Sequence, residues 1–219
     1  MAPPLVFAVV LHEVAHGWVA DRLGDKTARL LGRLTINPLA HIDPFGTVIL
    51  PLLTAFGSQG TMIFGAAKPV PVNALNLRSP KRDMLWVALA GPGINLGLAL
   101  ASGLLLQMLT VGGPAGPVAD LVLVPIRLML ERSVFINVLL CVFNLIPIPP
   151  LDGGRVAVAA LPAGPSAALS RVEPYGFFII LGLLFFDAQL GLLRTFVWPF
   201  VYVLVRLFLG GSLLSVFAP

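Results

Sequence analysis

Two histidines four residues apart, with a glutamate beside the first, form the segment of this chain best suited to chemistry. The segment reads His-Glu-Val-Ala-His at positions 12–16. Residues four apart lie on one face of a helix, so the imidazoles of His12 and His16 can both reach one tetrahedral zinc ion. Glu13 projects beside them, where a carboxylate can take a proton from a water molecule. The pattern therefore predicts a metal site with a base next to it.

The composition places this segment in a membrane protein. Hydrophobic residues make up 58% of the 219 residues and charged residues only 11%, whereas soluble domains carry about 25% charged residues. The apolar residues form long blocks, such as 98–109, 135–148 and 197–209, as bilayer-spanning helices require. The alternative reading of His12 and His16, two polar residues packed between helices, is weak there, because ionisable groups inside a membrane are costly and usually functional.

The charge pattern argues against nucleic acid as a partner. The formal net charge is +4, but the basic residues lie at the ends of apolar segments and make no continuous stripe. Such a placement suits loops on the cytoplasmic side of a membrane. We expect a lipid bilayer and no nucleic acid.

The elements that must position these residues are predicted to be helices of an all-α polytopic membrane protein. We predict about five to six transmembrane helices in one domain over residues 1–219, with no PDZ or other soluble domain. The first helix covers residues 4–23, and residues 44–56 form a short or re-entrant element. Residues 61–73 alternate with prolines and should be an extended edge. Further spans are predicted at 83–109, 118–146, 174–190 and 193–213, with breaks at 112–114 and 163–165.

A catalytic zinc needs a third protein ligand and an open fourth position, and Asp152 is the acid in a suitable context. It follows prolines at positions 147, 149 and 150, which forbid a regular helix. Non-helical backbone at membrane depth is tolerated where protein or a water-filled cavity surrounds it. The alternative is a loop aspartate that caps the next helix. Both interpretations stay open on these residues alone.

Three motifs, taken in order, resemble the site-2 protease family of intramembrane metalloproteases. They are HEVAH at 12–16, GPGIN at 91–95 and NLIPIPPLDGGR at 144–155. The element NPLAHIDPFGT at 37–47 resembles the compact branch of that family, which has no PDZ domain.

This resemblance implies a role for each matching residue. His12, His16 and Asp152 would bind one catalytic Zn²⁺. Glu13 would be the catalytic base, and Asn144 would hold the substrate backbone or the developing oxyanion. The implied activity is hydrolysis of peptide bonds within or near transmembrane helices of membrane-protein substrates. The implied location is a bacterial inner membrane.

Three further candidates each have two interpretations. His41 is either an extra ligand near the metal or a histidine that orders its own loop. Asn95 and its glycines either let helices pack closely or take part in the site. The last candidate is either an edge that pairs with an unwound substrate or a surface loop; it consists of Lys68, Pro69, Val70, Pro71, Val72 and Asn73.

Two other functions use the same residues without hydrolysis. One is a membrane metal-binding protein, a transporter or a sensor, although a transporter usually needs ligands distributed along a pathway. The other is a catalytically silent scaffold that binds transmembrane helices, against which the presence of Glu13 argues.

Overall fold

The computed structural model describes residues 2–57, 59, 65–111 and 116–210. Within these ranges the chain is helical, as predicted, with short 3-10 turns between the main elements. The helices are α1 (Ala2–Leu23), α2 (Thr27–Leu30), α3 (Leu50–Gly57), α4 (Pro80–Val111), α5 (Pro117–Asn144), α6 (Asp152–Ala160), α7 (Ala163–Ser170), α8 (Gly176–Leu190), α9 (Leu192–Phe196) and α10 (Trp198–Leu209).

Helices α1, α4 and α5 form the centre of the molecule and pack against one another. Side-chain hydrogen bonds join α1 and α4 from His16 to Val87 and from Asn95 to Ala8, so the two helices run antiparallel. Helix α10 covers the other side of α4 and α5. The apolar core there consists of Ala99, Leu106, Val134, Val138, Val197, Val201, Val205 and Leu209.

Three helical stretches among the described residues are long and apolar enough to cross a membrane. They are Pro3–Leu23, Pro80–Thr110 and Ala163–Asp187. Helix α5 is 28 residues long but carries charged residues in its first half, and α10 has 12 residues. The count of about five to six spans stays a prediction.

The short element after α1 is present as predicted. A π-helical turn at Pro44–Ile49 leads into α3, and the Asp43 side chain caps this turn by accepting a hydrogen bond from Gly46 N–H at 2.6 Å. Residues 65–73 follow without regular helix, and residues 61–64 of the predicted edge lie outside the described residues.

One predicted break is wrong. Residues 163–165 begin α7 instead of separating helices. A proline in the first helical turn is tolerated, because its missing N–H has no partner there in any case. The break predicted at 112–114 and the end of the last predicted span lie outside the described residues.

Asp25 ties the end of α1 to the returning segment before α4. Its carboxylate is fully buried and accepts hydrogen bonds from Thr27 N–H, Asn73 N–H and the Asn76 amide at 3.1, 2.7 and 2.9 Å. Burial acts to raise the pKa of Asp25, but these hydrogen bonds outweigh it and hold the pKa below its ordinary value.

We expect the stabilising effect of Asp25 to disappear in acid. A carboxyl group with a lowered folded-state pKa stabilises above its unfolded pKa and loses that contribution as the pH falls through the folded value. Asp25→Asn should therefore lower the Tm in detergent at neutral pH, and the difference from wild type should narrow below about pH 4. Asp120→Asn is the matched control, since its carboxylate makes no hydrogen bond to the described residues. A Tm difference that is constant down to low pH would contradict the assignment.

Candidate metal centre

Three side chains from α1 and the start of α6 converge on one point. Nε2 of His12 lies 3.1 Å from Nε2 of His16, and the two nitrogens lie 3.1 and 3.3 Å from Oδ2 of Asp152. All three residues are buried, at 7–8% exposure. Among the described residues this is the one group of three or more His, Cys, Asp or Glu side chains that could hold a metal ion.

The three atoms that face one another in this cluster can each present a lone pair to a metal ion. Nδ1 of His16 lies 2.6 Å from the Val87 carbonyl, which can only accept, so Nδ1 carries a proton. In the neutral imidazole, the form that binds a metal, Nε2 then presents a lone pair. Oδ2 of Asp152 is buried and accepts no hydrogen bond from the part of the chain that the structure describes. A buried anionic oxygen beside such a nitrogen needs a cation. Two imidazoles and one carboxylate are the ligand set of a catalytic zinc, so these residues fit that ion.

Glycine makes the approach of α4 to this cluster feasible. A Cβ atom on Gly91 would lie 2.3 Å from Nε2 of His16 and 2.6 Å from Cε1 of His12. Close contact also occurs behind Asp152, where a Cβ on Gly153 would lie 2.2 Å from the Leu145 carbonyl oxygen. Of the two interpretations of Asn95 and its glycines, Gly91 combines both, since it lets α4 pack closely and faces the histidines.

Asp152 does not serve as a helix cap. It is the first residue of α6, whose start has no side-chain cap, and its carboxylate lies against the two histidines. The loop between α5 and α6 interrupts the helical ladder at the prolines. This is how a residue 140 positions after His12 in the chain comes to face it.

Glu13 lies in the same cavity as the cluster and is held by backbone. The cavity has a volume of about 860 Å³ and is lined by α1, residues 66–74 and the loop before α6. Oε2 of Glu13 accepts a hydrogen bond from Val70 N–H at 2.8 Å. No described residue donates to Oε1, which leaves that oxygen for a proton. The contact with Val70 was missed, since a backbone donor has no sequence signal.

Asn144 lines this cavity at the end of α5. Its Nδ2 donates one hydrogen bond to the Leu140 carbonyl at 3.0 Å, and the amide nitrogen has a second hydrogen for another acceptor.

His41 and Asn95 differ in where they lie. His41 is buried outside the cluster, with Nε2 hydrogen-bonded to the Thr35 carbonyl at 2.9 Å, as a loop-ordering histidine would be. Its own carbonyl accepts from Lys68 N–H at 2.9 Å. Asn95 contacts the cluster directly, because its Oδ1 lies 2.6 Å from Nδ1 of His12.

Comparisons with known proteins identify the family of the chain. The sequence model of peptidase family M50 matches residues 2–124 and 109–186. The chain belongs to peptidase family M50. This is the site-2 protease family, so the resemblance carried by the three motifs is confirmed, and the chain is an integral membrane metalloprotease with zinc as its cofactor.

Relatives in this family cover most of the chain. A Bacillus subtilis protein named "Putative zinc metalloprotease YwhC" is 36% identical over 199 residues, which are 89% of this chain and 82% of that protein. A Mycolicibacterium smegmatis protein named "Putative zinc metalloprotease Rip2" is 32% identical over 187 residues. That alignment covers 82% of this chain and 64% of the relative, slightly under two thirds of its length. Rip2 of Mycobacterium tuberculosis strain H37Rv is 32% identical over 181 residues, 80% of this chain and 62% of the relative. No solved structure matches the chain.

Proposed function

We propose that this M50 peptidase hydrolyses peptide bonds within or near transmembrane helices of membrane-protein substrates. The observation that carries the proposal is the convergence of His12, His16 and Asp152 in one cavity with Glu13. His12 lies about 15 Å along α1 from Ala2 and about 16 Å from Leu23, at 1.5 Å per residue. A site at mid-helix supports cleavage at membrane depth.

The ligands we assign to zinc are His12, His16 and Asp152. Zinc held there would supply a Lewis acid that lowers the pKa of a water molecule towards neutrality. Oε1 of Glu13 then takes a proton from the attacking water and passes it to the nitrogen of the leaving amine. The hydrogen bond from Val70 N–H to Oε2 keeps the carboxylate in the orientation that this transfer requires.

Asn144 is assigned to the substrate carbonyl. Its second Nδ2 hydrogen would donate to the scissile oxygen as negative charge develops there, a contribution of about 3 kcal/mol for comparable donors. The position of Asn144 in the cavity lining supports this role.

Residues 68–73 are proposed to hold the unwound substrate. Three N–H groups in or just before this stretch are already used within the protein and cannot bind a substrate. Those of Ala66 and Lys68 donate to the carbonyls of Gly46 and His41, and that of Val70 donates to Glu13. In an extended chain, the residues that alternate with these three face the opposite side. Two of the residues on that side, Pro69 and Pro71, have no N–H to donate. This edge would therefore mostly accept hydrogen bonds from the substrate. Substrates should be transmembrane helices with small or helix-destabilising residues near the cut, since an intact helix shields its carbonyls.

The cellular setting is proposed from the same reasoning. We propose one membrane-embedded domain with about five to six spans, including α5 and α10. We place it in a bacterial inner membrane with a transmembrane-helix protein as its substrate partner. The bacterial source of the relatives supports this location.

Removing the metal should abolish cleavage reversibly. A fluorogenic transmembrane peptide is incubated with the full chain in liposomes, before and after treatment with a strong chelator. We expect one zinc ion per chain before chelation, loss of cleavage after it, and recovery on adding Zn²⁺, because the helices that carry the ligands are packed by apolar contacts that do not involve the ion. The readouts are bound zinc and product formation.

The same experiment discriminates the two rival functions. Stoichiometric zinc without cleavage of any helix in a panel of substrates would contradict the protease and favour the transporter or the scaffold. Zinc flux into the liposomes would then identify a transporter.

A further inference from the structure

A row of two buried amides and two half-buried hydroxyls lies behind His12, on the side away from the cavity. Asn95 on α4 and Asn137 on α5 are 0% and 1% exposed. Nδ2 of Asn95 lies 2.8 Å from Oδ1 of Asn137, whose Nδ2 lies 2.9 Å from the backbone oxygen of Ser133. The Ser133 hydroxyl meets that of Ser102 at 2.9 Å. Burying two amides costs free energy unless they are hydrogen-bonded, and both amides here make such bonds.

The direction of this row follows from the backbone at its end. The Ser133 carbonyl can only accept a hydrogen bond, so the amide nitrogen of Asn137 must face it and the amide oxygen must face Asn95. Asn95 must then present its own nitrogen to Asn137. The Ala8 carbonyl, 3.4 Å from the same nitrogen, is a second acceptor that requires the same orientation.

The tautomer of His12 follows from the orientation of Asn95. With its nitrogen held by Asn137, Asn95 turns Oδ1 towards Nδ1 of His12, at 2.6 Å. An amide oxygen only accepts, so Nδ1 must carry a proton. Nε2 of the neutral imidazole then presents its lone pair towards Asp152.

The proton on Nδ1 is thus fixed by different groups in the two histidines. His16 faces a backbone carbonyl, whose polarity cannot be reversed. His12 faces a side-chain amide, which can present either end unless something else orients it. This explains why a second amide on a third helix is needed only behind His12.

We propose that Asn95, oriented by Asn137 and Ser133, is a positioning residue that selects the Nδ1–H tautomer of His12 and so presents Nε2 to zinc. The inference rests on the proposed zinc site and adds to it two residues of α5 that no motif includes. Asn137 acts through Asn95 and does not touch the ion.

The first test is a double-mutant cycle on zinc affinity. Zinc binding to the full chain in detergent is measured by competition with a chromophoric chelator for wild type, Asn95→Leu, Asn137→Leu and the double variant. Each single variant should bind zinc about 10- to 100-fold more weakly. The double variant should bind no more weakly than Asn95→Leu, because Asn137 acts only through Asn95. Thr54→Val, a buried polar change on α3, is the control and should keep wild-type affinity.

The second test leaves the metal centre and the polar row unchanged. The chain has only three histidines, so ¹⁵N-labelled histidine gives six ring nitrogens in solid-state NMR of liposomes. With zinc bound, Nδ1 of His12 should be protonated and Nε2 coordinated, and His41→Gln assigns the third ring. Coordination through Nδ1 of His12 overturns the inference, as do independent, additive losses in the cycle.

Failure of the proposed function gives a different result. Wild-type protein that binds no zinc contradicts the metal site itself. Wild-type protein that binds zinc, with Asn95→Leu binding equally well, overturns the positioning role alone.

Discussion

Replacing Glu13 with glutamine should abolish peptide hydrolysis while zinc stays bound. Glutamine keeps an oxygen that can accept the hydrogen bond from Val70 N–H, so the side chain should remain in place. It cannot take a proton from water at neutral pH. We expect the cleavage rate to fall by at least about 100-fold, the scale of general acid–base catalysis. Product formation from the transmembrane peptide and zinc content measure the two effects in the same samples.

Glu173 offers the matched control for this substitution. It lines the same cavity, but it is exposed and lies 4.0 Å from Arg155, so it has no place in the proton transfer. Glu173→Gln should therefore keep both zinc and cleavage. Cleavage at the wild-type rate by Glu13→Gln would remove Glu13 from the mechanism. Loss of zinc in that variant would instead make it a structural part of the metal site.

A single methyl group on Gly91 should prevent zinc binding. The added Cβ would lie 2.3 Å from Nε2 of His16, close to the distance of about 2.0–2.1 Å at which zinc itself binds a histidine nitrogen. The methyl group would overlap both imidazoles, so either the rings leave their positions or α4 moves away from α1. We expect zinc affinity to fall by at least about 100-fold, at the upper end of the effect of changes around metal ligands. Cleavage should be lost with it.

Gly93→Ala separates this steric effect from the general effect of alanine in a helix. Gly93 lies on α4 two residues further on, and a Cβ there meets no atom within 4 Å. Alanine favours a helix by about 1 kcal/mol over glycine, so neither variant should lose α4. Gly93→Ala should bind zinc as wild type does. Equal zinc affinity in Gly91→Ala would show that α4 does not approach the histidines as closely as described.

The position of the two proposed metal ligands on α1 was predictable because helix periodicity is local. Two residues four apart on one helix share a face whatever the rest of the chain does, so His12 and His16 needed no tertiary information. Asp152 was found by its context, an acid after a run of prolines in an apolar segment. From the residues alone a helix cap stayed open as an alternative to a ligand, and the resemblance to a family decided between them.

The long apolar helices were predictable for a similar reason. A bilayer requires an apolar stretch of a certain length, and composition records it directly. The break expected at 163–165 was wrong, because glycine and proline are also compatible with the first turn of a helix.

The sequence by itself thus determined the class of protein and its metal, and it placed on one face of α1 the two histidines that we propose as ligands. Only the tertiary structure decided which distant groups complete the site. The hydrogen bond from Val70 to Glu13 uses a backbone N–H, which every residue but proline has, so no residue type signals it. The approach of Gly91 depends on how α4 crosses α1. The orientation of Asn95 depends on Asn137, 42 positions away on another helix. These contacts depend on how three helices pack, and helix packing brings together residues that no local pattern connects.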